Sequence, residues 1–212
     1  MQNPVIIFGA QAIGRQVKEI FESNDVVVYG FLDDNKTMHQ TELDEAIVLG
    51  ATDDDGFLKL IGKKCEAFVA VDDMRLRKGI VKMLNDVRHV QPVNAIHRQA
   101  LISSRASLGH GCLVDARVTV QPGVSIGNHC LIHAGATIGA ESKVGQFVQV
   151  GMGCQINPGV VVEDEVFIGS GVTVVSGVTL GKGARVGAGS VVVSSVKAGD
   201  TVFGNPAQPI KS

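Results

Sequence analysis

Charge is what the second half of this chain lacks. Between Leu101 and Val192 only ten residues are Asp, Glu, Lys or Arg. The whole chain carries a net charge of −2, so there is no electrostatic case for a nucleic-acid partner. No apolar run reaches the length of a membrane span, and the first residues lack the basic-then-apolar pattern of a secretory signal. Only four cysteines occur, Cys65, Cys112, Cys130 and Cys154; they read as buried thiols acting as small hydrophobes, with neither disulfides nor a metal site implied. No histidine follows His133. These absences lead to the expectation of a cytoplasmic protein that binds neither nucleic acid nor membrane.

What is present is a strict period of six. From Ile96 to Val192 every sixth residue is aliphatic, seventeen times without an insertion. A helix repeats near 3.6 and a simple strand at 2, so neither fits. A chain that makes a short strand, turns and repeats, three sixes to a coil, does fit, and this is the hexapeptide pattern of a parallel β-helix. Four residues after each aliphatic from Ile102 to Val186 stands a small or β-branched residue, such as Ala106, Cys112, Val118 or Ser142. The aliphatic residue is expected to fill the interior and the small one the inner edge of the turn. The residue just after the aliphatic is often Gly (Gly109, Gly127, Gly139, Gly151), read here as the residue that takes the unusual angles of a tight corner. A thin prism so poor in charge is expected to pack its faces against other copies.

Residues 1–92 have a different texture. Apolar runs at Pro4–Phe8, Val26–Leu32, Ala46–Leu49, Ala67–Val71 and Val90–Val93 read as strands. A helical face of Ile13, Val17, Ile20 and Phe21, a short helix at Phe57–Lys63 and a helix at Arg75–Leu84 alternate with them, which implies a small doubly wound, Rossmann-like sheet. Such sheets bind ligands outside the carboxyl ends of their strands. Gly9-Ala10-Gln11-Ala12-Ile13-Gly14 is a G-x-G-x-x-G whose middle Gly is Gln, between a strand and a helix that can receive phosphate. Asp33 and Asp34 end the next strand, where a carboxylate can bond a ribose or sugar hydroxyl. Equally, Gly9 and Gly14 fit tight turns and the Asp pair fits a loop cap. Arg75, Arg77 and Lys78 read as a solvated helix face, and Glu163-Asp164-Glu165 as a solvated corner or an intersubunit salt-bridge partner.

Taken together, Gly-Ala-x-x-x-Gly, Phe31-Leu32-Asp33-Asp34-Asn35, Ile96-His97-x-x-Ala100, the hexapeptides and a terminal Gly204-Asn205-Pro206-Ala207 resemble the bacterial sugar O- and N-acetyltransferases of the sialic acid O-acetyltransferase type. The resemblance implies an α/β domain over residues 1–92 that binds a nucleotide-linked sugar. It implies a left-handed parallel β-helix over residues 93–212, a homotrimer, and acetyl-CoA along the coils between subunits. It places Gly9, Ala10, Gln11, Gly14, Asp33 and Asp34 at the sugar nucleotide. Gly151, Gly153, Gly169, Gly171, Gly187 and Ala188 fall at the cofactor, with Val202-Phe203 and the Gly-Asn-Pro-Ala leaving the coils to cover it. The expected reaction is acetyl transfer to an amino or hydroxyl group of the sugar in surface-glycan synthesis.

Four family positions differ. The family's base is a His before an acid; here Ala140 precedes Glu141. A second family His, after an aromatic residue one coil on, is Gln149, following Phe147-Val148. In the nucleotide loop the family's usual Gly and His are Ala12 and Ile13. Acetyl transfer needs a base for the nucleophile's proton, worth about 10²–10⁴ in rate, which alanine cannot supply. His133 is one replacement: a step of eighteen stacks Asp115, His133, Gly151, Gly169 and Gly187, so Asp115 can orient the imidazole. Glu141 acting alone is a second. The alternative is an inactive trimeric homologue that keeps only sugar-nucleotide or acyl-CoA binding. A zinc hydratase sharing the β-helix needs three converging His; His110, His129 and His133 have the wrong spacing for it.

Overall fold

The computed structural model describes residues 3–210 and divides into two compact units, Met1–Arg98 and Gln99–Ser212. The first is a five-stranded sheet with helices. In chain order come β1 (Val5–Phe8), α1 (Ala12–Ser23), β2 (Val28–Leu32), β3 (Glu42–Leu43), β4 (Ala46–Gly50), α2 (Asp55–Leu58), β5 (Glu66–Val69) and α3 (Met74–Arg88). The sheet order is β3-β4-β2-β1-β5, parallel except for β3. β1 lies inside the sheet with all four residues buried, as expected of a parallel strand covered on both faces. Val17, Ile20 and Phe21 of α1 are buried, and Phe21 meets Phe68 of β5 edge-on at 5.9 Å.

Three details of this unit differ from the sequence reading. α2 spans Asp55–Leu58 rather than Phe57–Lys63, because Asp54 accepts the Gly56 amide and starts the helix early. Val90–Val93 is not a strand: the Val90 amide closes the end of α3 on Leu84 O, and Pro92 has no amide hydrogen to give. β3 was not anticipated; its hairpin to β4 turns through Asp44 and Glu45, both left-handed (φ 48° and 66°), without the Asn-Gly that marks such turns in a sequence.

The second unit is a left-handed parallel β-helix of two-residue strands. Each strand pairs with the strand eighteen residues away, as Leu131–Ile132 with Leu113–Val114 below and Gln149–Val150 above. From Val114 on the aliphatic column is buried, and from Cys112 on so is the small inner column, including Cys130, Ser142 and Cys154. The inner thiols and hydroxyl bond carbonyls of the next coil: Cys130 Sγ to Gly145 O at 3.0 Å, Cys154 Sγ to Gly169 O at 3.0 Å and Ser142 Oγ to Asn157 O at 3.1 Å. Buried backbone acceptors are thereby satisfied without charge.

The glycines after the aliphatics are there for a different reason from the one the pattern suggests. Their backbone is not left-handed. Instead, a Cβ on Gly139, Gly151, Gly169 or Gly181 would stand 2.5–2.6 Å from an amide nitrogen of the next coil, so only a bare Cα lets the coils stack. The left-handed corner comes two residues later. Glycines hold most of these corners, but Arg117, His129, Glu141, Phe147 and Glu165 take φ of 56–66° there, a conformation that costs a side-chain-bearing residue about 1–2 kcal/mol. The tail also departs from expectation: Thr201–Gly204 stays on the wall, pairing in parallel with Arg185–Val186, and Ala207–Pro209 folds back against it.

Candidate active site

In the α/β unit a cleft of about 260 Å³ opens at the carboxyl ends of the strands. Gly9 and Gln11 line it after β1, Asp33 and Asp34 after β2, Thr52 after β4, and Val71–Asp73 after β5. Four of the six residues expected at the sugar nucleotide therefore converge. Ala10 joins them through its backbone, its amide donating to Asp33 Oδ2 at 2.8 Å. Asp33 Oδ1 accepts the Asn35 amide at 2.9 Å, so this carboxylate braces the loop between β1 and α1. Asp34 Oδ1 accepts both the amide and the hydroxyl of Thr52. Each carboxylate oxygen has two acceptor sites, so bracing the loops leaves acceptor capacity facing the cleft.

Gly9 and Gly14 are required by packing. Gly9 has φ +99°, and a Cβ there would lie 2.7 Å from Ala70 O; a Cβ on Gly14 would run into Gly9 O. The Gln11 side chain makes no capping bond at the start of α1. Arg77 corrects the reading of a solvated face. It is 1% exposed, and its guanidinium donates to Val71 O at 2.9 Å, supporting the β5–α3 loop from beneath. Asp72, Asp73 and Thr52 were not singled out as binding residues, although strand-end position alone could have found them. A larger hollow of about 620 Å³, lined by Asn3, Val5, Phe21 and Glu66 among others, opens at the amino ends of β1 and β5. That is the end where open α/β sheets do not hold ligands, so the smaller cleft is the candidate.

On the coils, Asp115 and His133 fall one coil apart at equivalent positions, as the step of eighteen predicts. Asp115 is buried (4% exposed) and gives one oxygen to the Ala116 amide at 2.6 Å and the other to the Ala134 amide at 3.1 Å. A carboxylate is thus fixed beside the backbone that carries His133. The His133 ring, half-buried, has its Nε2 3.5 Å from Nε2 of Gln149. Gln149, noted in the sequence only as a family His replaced, is the neighbour that the sequence did not reveal.

Glu141 lies elsewhere, at a different corner. It is exposed, has φ +59°, and folds its carboxylate over Gly123. The Ala140 amide donates to Gln121 Oε1 at 2.9 Å. The glycines expected at the cofactor separate into two groups. Gly151 and Gly169 are demanded by coil stacking, and the Phe203 ring lies over Gly187. Gly153 and Gly171 hold left-handed corners where an added Cβ would meet nothing within 4 Å, which leaves a bare edge beside exposed Ala188. The Glu163–Glu165 corner is tied within the coils: Glu163 accepts the Lys182 amide at 2.7 Å, and Glu165 lies 3.7 Å from the Lys182 ammonium. Among the described residues, no group of three or more His, Cys, Asp or Glu is arranged to hold a metal ion, and no helix is long and apolar enough to cross a membrane.

Residues 4–84 match the family model of the PglD N-terminal domain, and residues within 105–194 match the bacterial transferase hexapeptide (six repeats). No curated protein sequence matches the chain. Among solved structures, one similar protein is a histidine-to-asparagine variant of perosamine N-acetyltransferase from Caulobacter crescentus, in complex with CoA and GDP-perosamine. It is 28% identical, with 100% of this chain and 99% of that one covered and a TM-score of 0.91. The acetyltransferase domain of PglB from Neisseria gonorrhoeae, in complex with acetyl coenzyme A, is 25% identical over 99% of this chain and 100% of that one, with a TM-score of 0.89. WeeI from Acinetobacter baumannii, 23% identical over 98% and 99% with a TM-score of 0.87, shares the fold. The chain therefore carries a PglD N-terminal domain ahead of bacterial transferase hexapeptides, and over its whole length it is similar to a perosamine N-acetyltransferase and to the acetyltransferase domain of PglB.

Proposed function

We propose that this protein is an acetyl-CoA-dependent acetyltransferase acting on an amino or hydroxyl group of a nucleotide-linked sugar in bacterial surface-glycan synthesis. The observation that carries the reading is the end-to-end likeness to a perosamine N-acetyltransferase bound to CoA and GDP-perosamine. The cleft at the strand ends of the α/β unit takes the sugar nucleotide, with Gly9, Ala10, Gln11, Gly14, Asp33 and Asp34 around it. The bare corners at Gly153 and Gly171, with Gly151, Gly169, Gly187 and Ala188, take the acyl carrier. The working form is a cytoplasmic homotrimer.

His133 serves as the base. As the acceptor nitrogen or oxygen attacks the thioester carbonyl, its proton passes to the imidazole. The new N–C or O–C bond forms, the C–S bond breaks, and the proton leaves with CoA as its thiol. Asp115 holds the backbone around the ring. Glu141 is the second candidate for the proton. The substitution at Ala140 favours the rival reading, a homologue that binds without turnover.

The test is CoA-thiol release against a panel of UDP- and GDP-linked amino sugars. His133→Ala is expected to lower kcat about 10²-fold or more, with KM for acetyl-CoA little changed. Loss of turnover in Glu141→Gln with His133→Ala active would move the proton to Glu141. Acetyl-CoA binding with no turnover on any sugar would leave the binding homologue.

A further inference from the structure

We infer that Gln149 is a positioning residue that sets the orientation and the charge state of the His133 imidazole. The inference rests on the proposed role of His133. Gln149 stands on the outer face of the strand Gln149–Val150, one coil above Leu131 and one below Phe167. Leu131 is wholly buried, and the next outward side chain beyond Phe167 is Arg185, whose guanidinium lies over the Phe167 ring at 4.6 Å. Gln149 is thus a neutral amide between Leu131 and Phe167 in its ladder. Its side chain reaches sideways to His133 Nε2 at 3.5 Å. That separation is at the long limit for a hydrogen bond.

The chemistry of the pair follows from what an amide can and cannot do. A base must start neutral to take a proton. An amide N–H donates to the lone pair of a neutral ring nitrogen, fixing ring rotation without adding charge. A carboxylate at the same place would hold the ring as imidazolium and remove its lone pair from use at neutral pH. The carboxylate beside His133 is Asp115 on the coil below, whose two oxygens accept the Ala116 and Ala134 amides; the coil above brings Gly151, which has no charge. Gln149, the group set against Nε2 itself, brings no charge to that nitrogen. The acceptor's own N–H or O–H takes the place of the amide when the sugar arrives.

Two substitutions test this in the intact protein. Glutamate has the shape of glutamine and adds a negative charge, so Gln149→Glu is expected to raise the midpoint of the acid limb of kcat/KM by about one pH unit. Gln149→Leu keeps the volume and is expected to lower kcat roughly tenfold while KM for acetyl-CoA stays within about twofold, with Gln149→Asn recovering part of the loss. The same charge effect is read without turnover from the NMR titration of the His133 ring, assigned by its disappearance in His133→Ala. A midpoint that stays put in Gln149→Glu, by either readout, overturns the pairing. Absent turnover in the wild type counts against the acetyltransferase reading, and the NMR titration still decides the role of Gln149.

Discussion

At the residue scale, the two kinds of glycine in the coils are separated by their physics, although the sequence shows both simply as Gly. Gly169 is pressed against the next coil, with a notional Cβ 2.6 Å from Ala188 N, whereas Gly171 has a left-handed φ of 70° and open space around it. Gly169→Ala must therefore push backbone aside and is expected to lower unfolding free energy by about 3 kcal/mol or more. Gly171→Ala meets no atom and bears only the left-handed penalty, about 1–2 kcal/mol. Urea denaturation of the two variants gives the ranking, and equal losses would contradict the steric account. The sites that bear side chains at left-handed corners, His129 and Glu141 among them, fold at similar conformational expense.

At the element scale, the hexad was legible because its period of six is too long for a helix face and too regular for chance, and Ile102 to Val192 fall on the pairing ladder at intervals of eighteen. The doubly wound sheet was legible from the apolar runs. Its edge hairpin at Asp44-Glu45 was not, since neither residue signals a left-handed turn. The bracing of Asp33 and Asp34 and the reach of Gln149 to His133 depend on contacts between segments distant in sequence, which periodicity cannot reveal. The buried thiols, Cys154 on the inner ladder and Cys65 in the α/β unit, carry a pH dependence. Burial pushes the thiols of Cys65 and Cys154 above the ordinary value of 9.0, while a hydrogen bond from Cys130 pulls Cys112 down. A raised thiol stays neutral longer in the folded than in the unfolded chain. Its contribution is therefore full below about pH 9 and is lost as pH rises through the folded value. Stability is expected to fall on the alkaline side of pH 9. Cys154→Ser, which keeps a donor for Gly169 O as Ser142 does for Asn157 O, is expected to make that fall shallower. An unchanged alkaline slope in this variant would remove Cys154 as a cause.

At the scale of the whole molecule, the account requires several copies. A coil with ten charged residues between Leu101 and Val192 has faces suited to cover by its own kind. Sedimentation equilibrium is expected to return three times the 22.2 kDa of one chain. A monomer across the micromolar range would leave the acyl carrier without the second wall that the proposed function assumes. Turnover is the more direct test of the central claim, that an imidazole on the coil has assumed the work of a base missing at Ala140. The decisive measurement is the pH dependence of acetyl transfer from acetyl-CoA to a GDP-linked amino sugar, in the wild type and in His133→Ala. The account predicts transfer in the wild type with an acid limb that disappears, together with most of the rate, in the variant. Equal rates and identical pH profiles in the two proteins would contradict it.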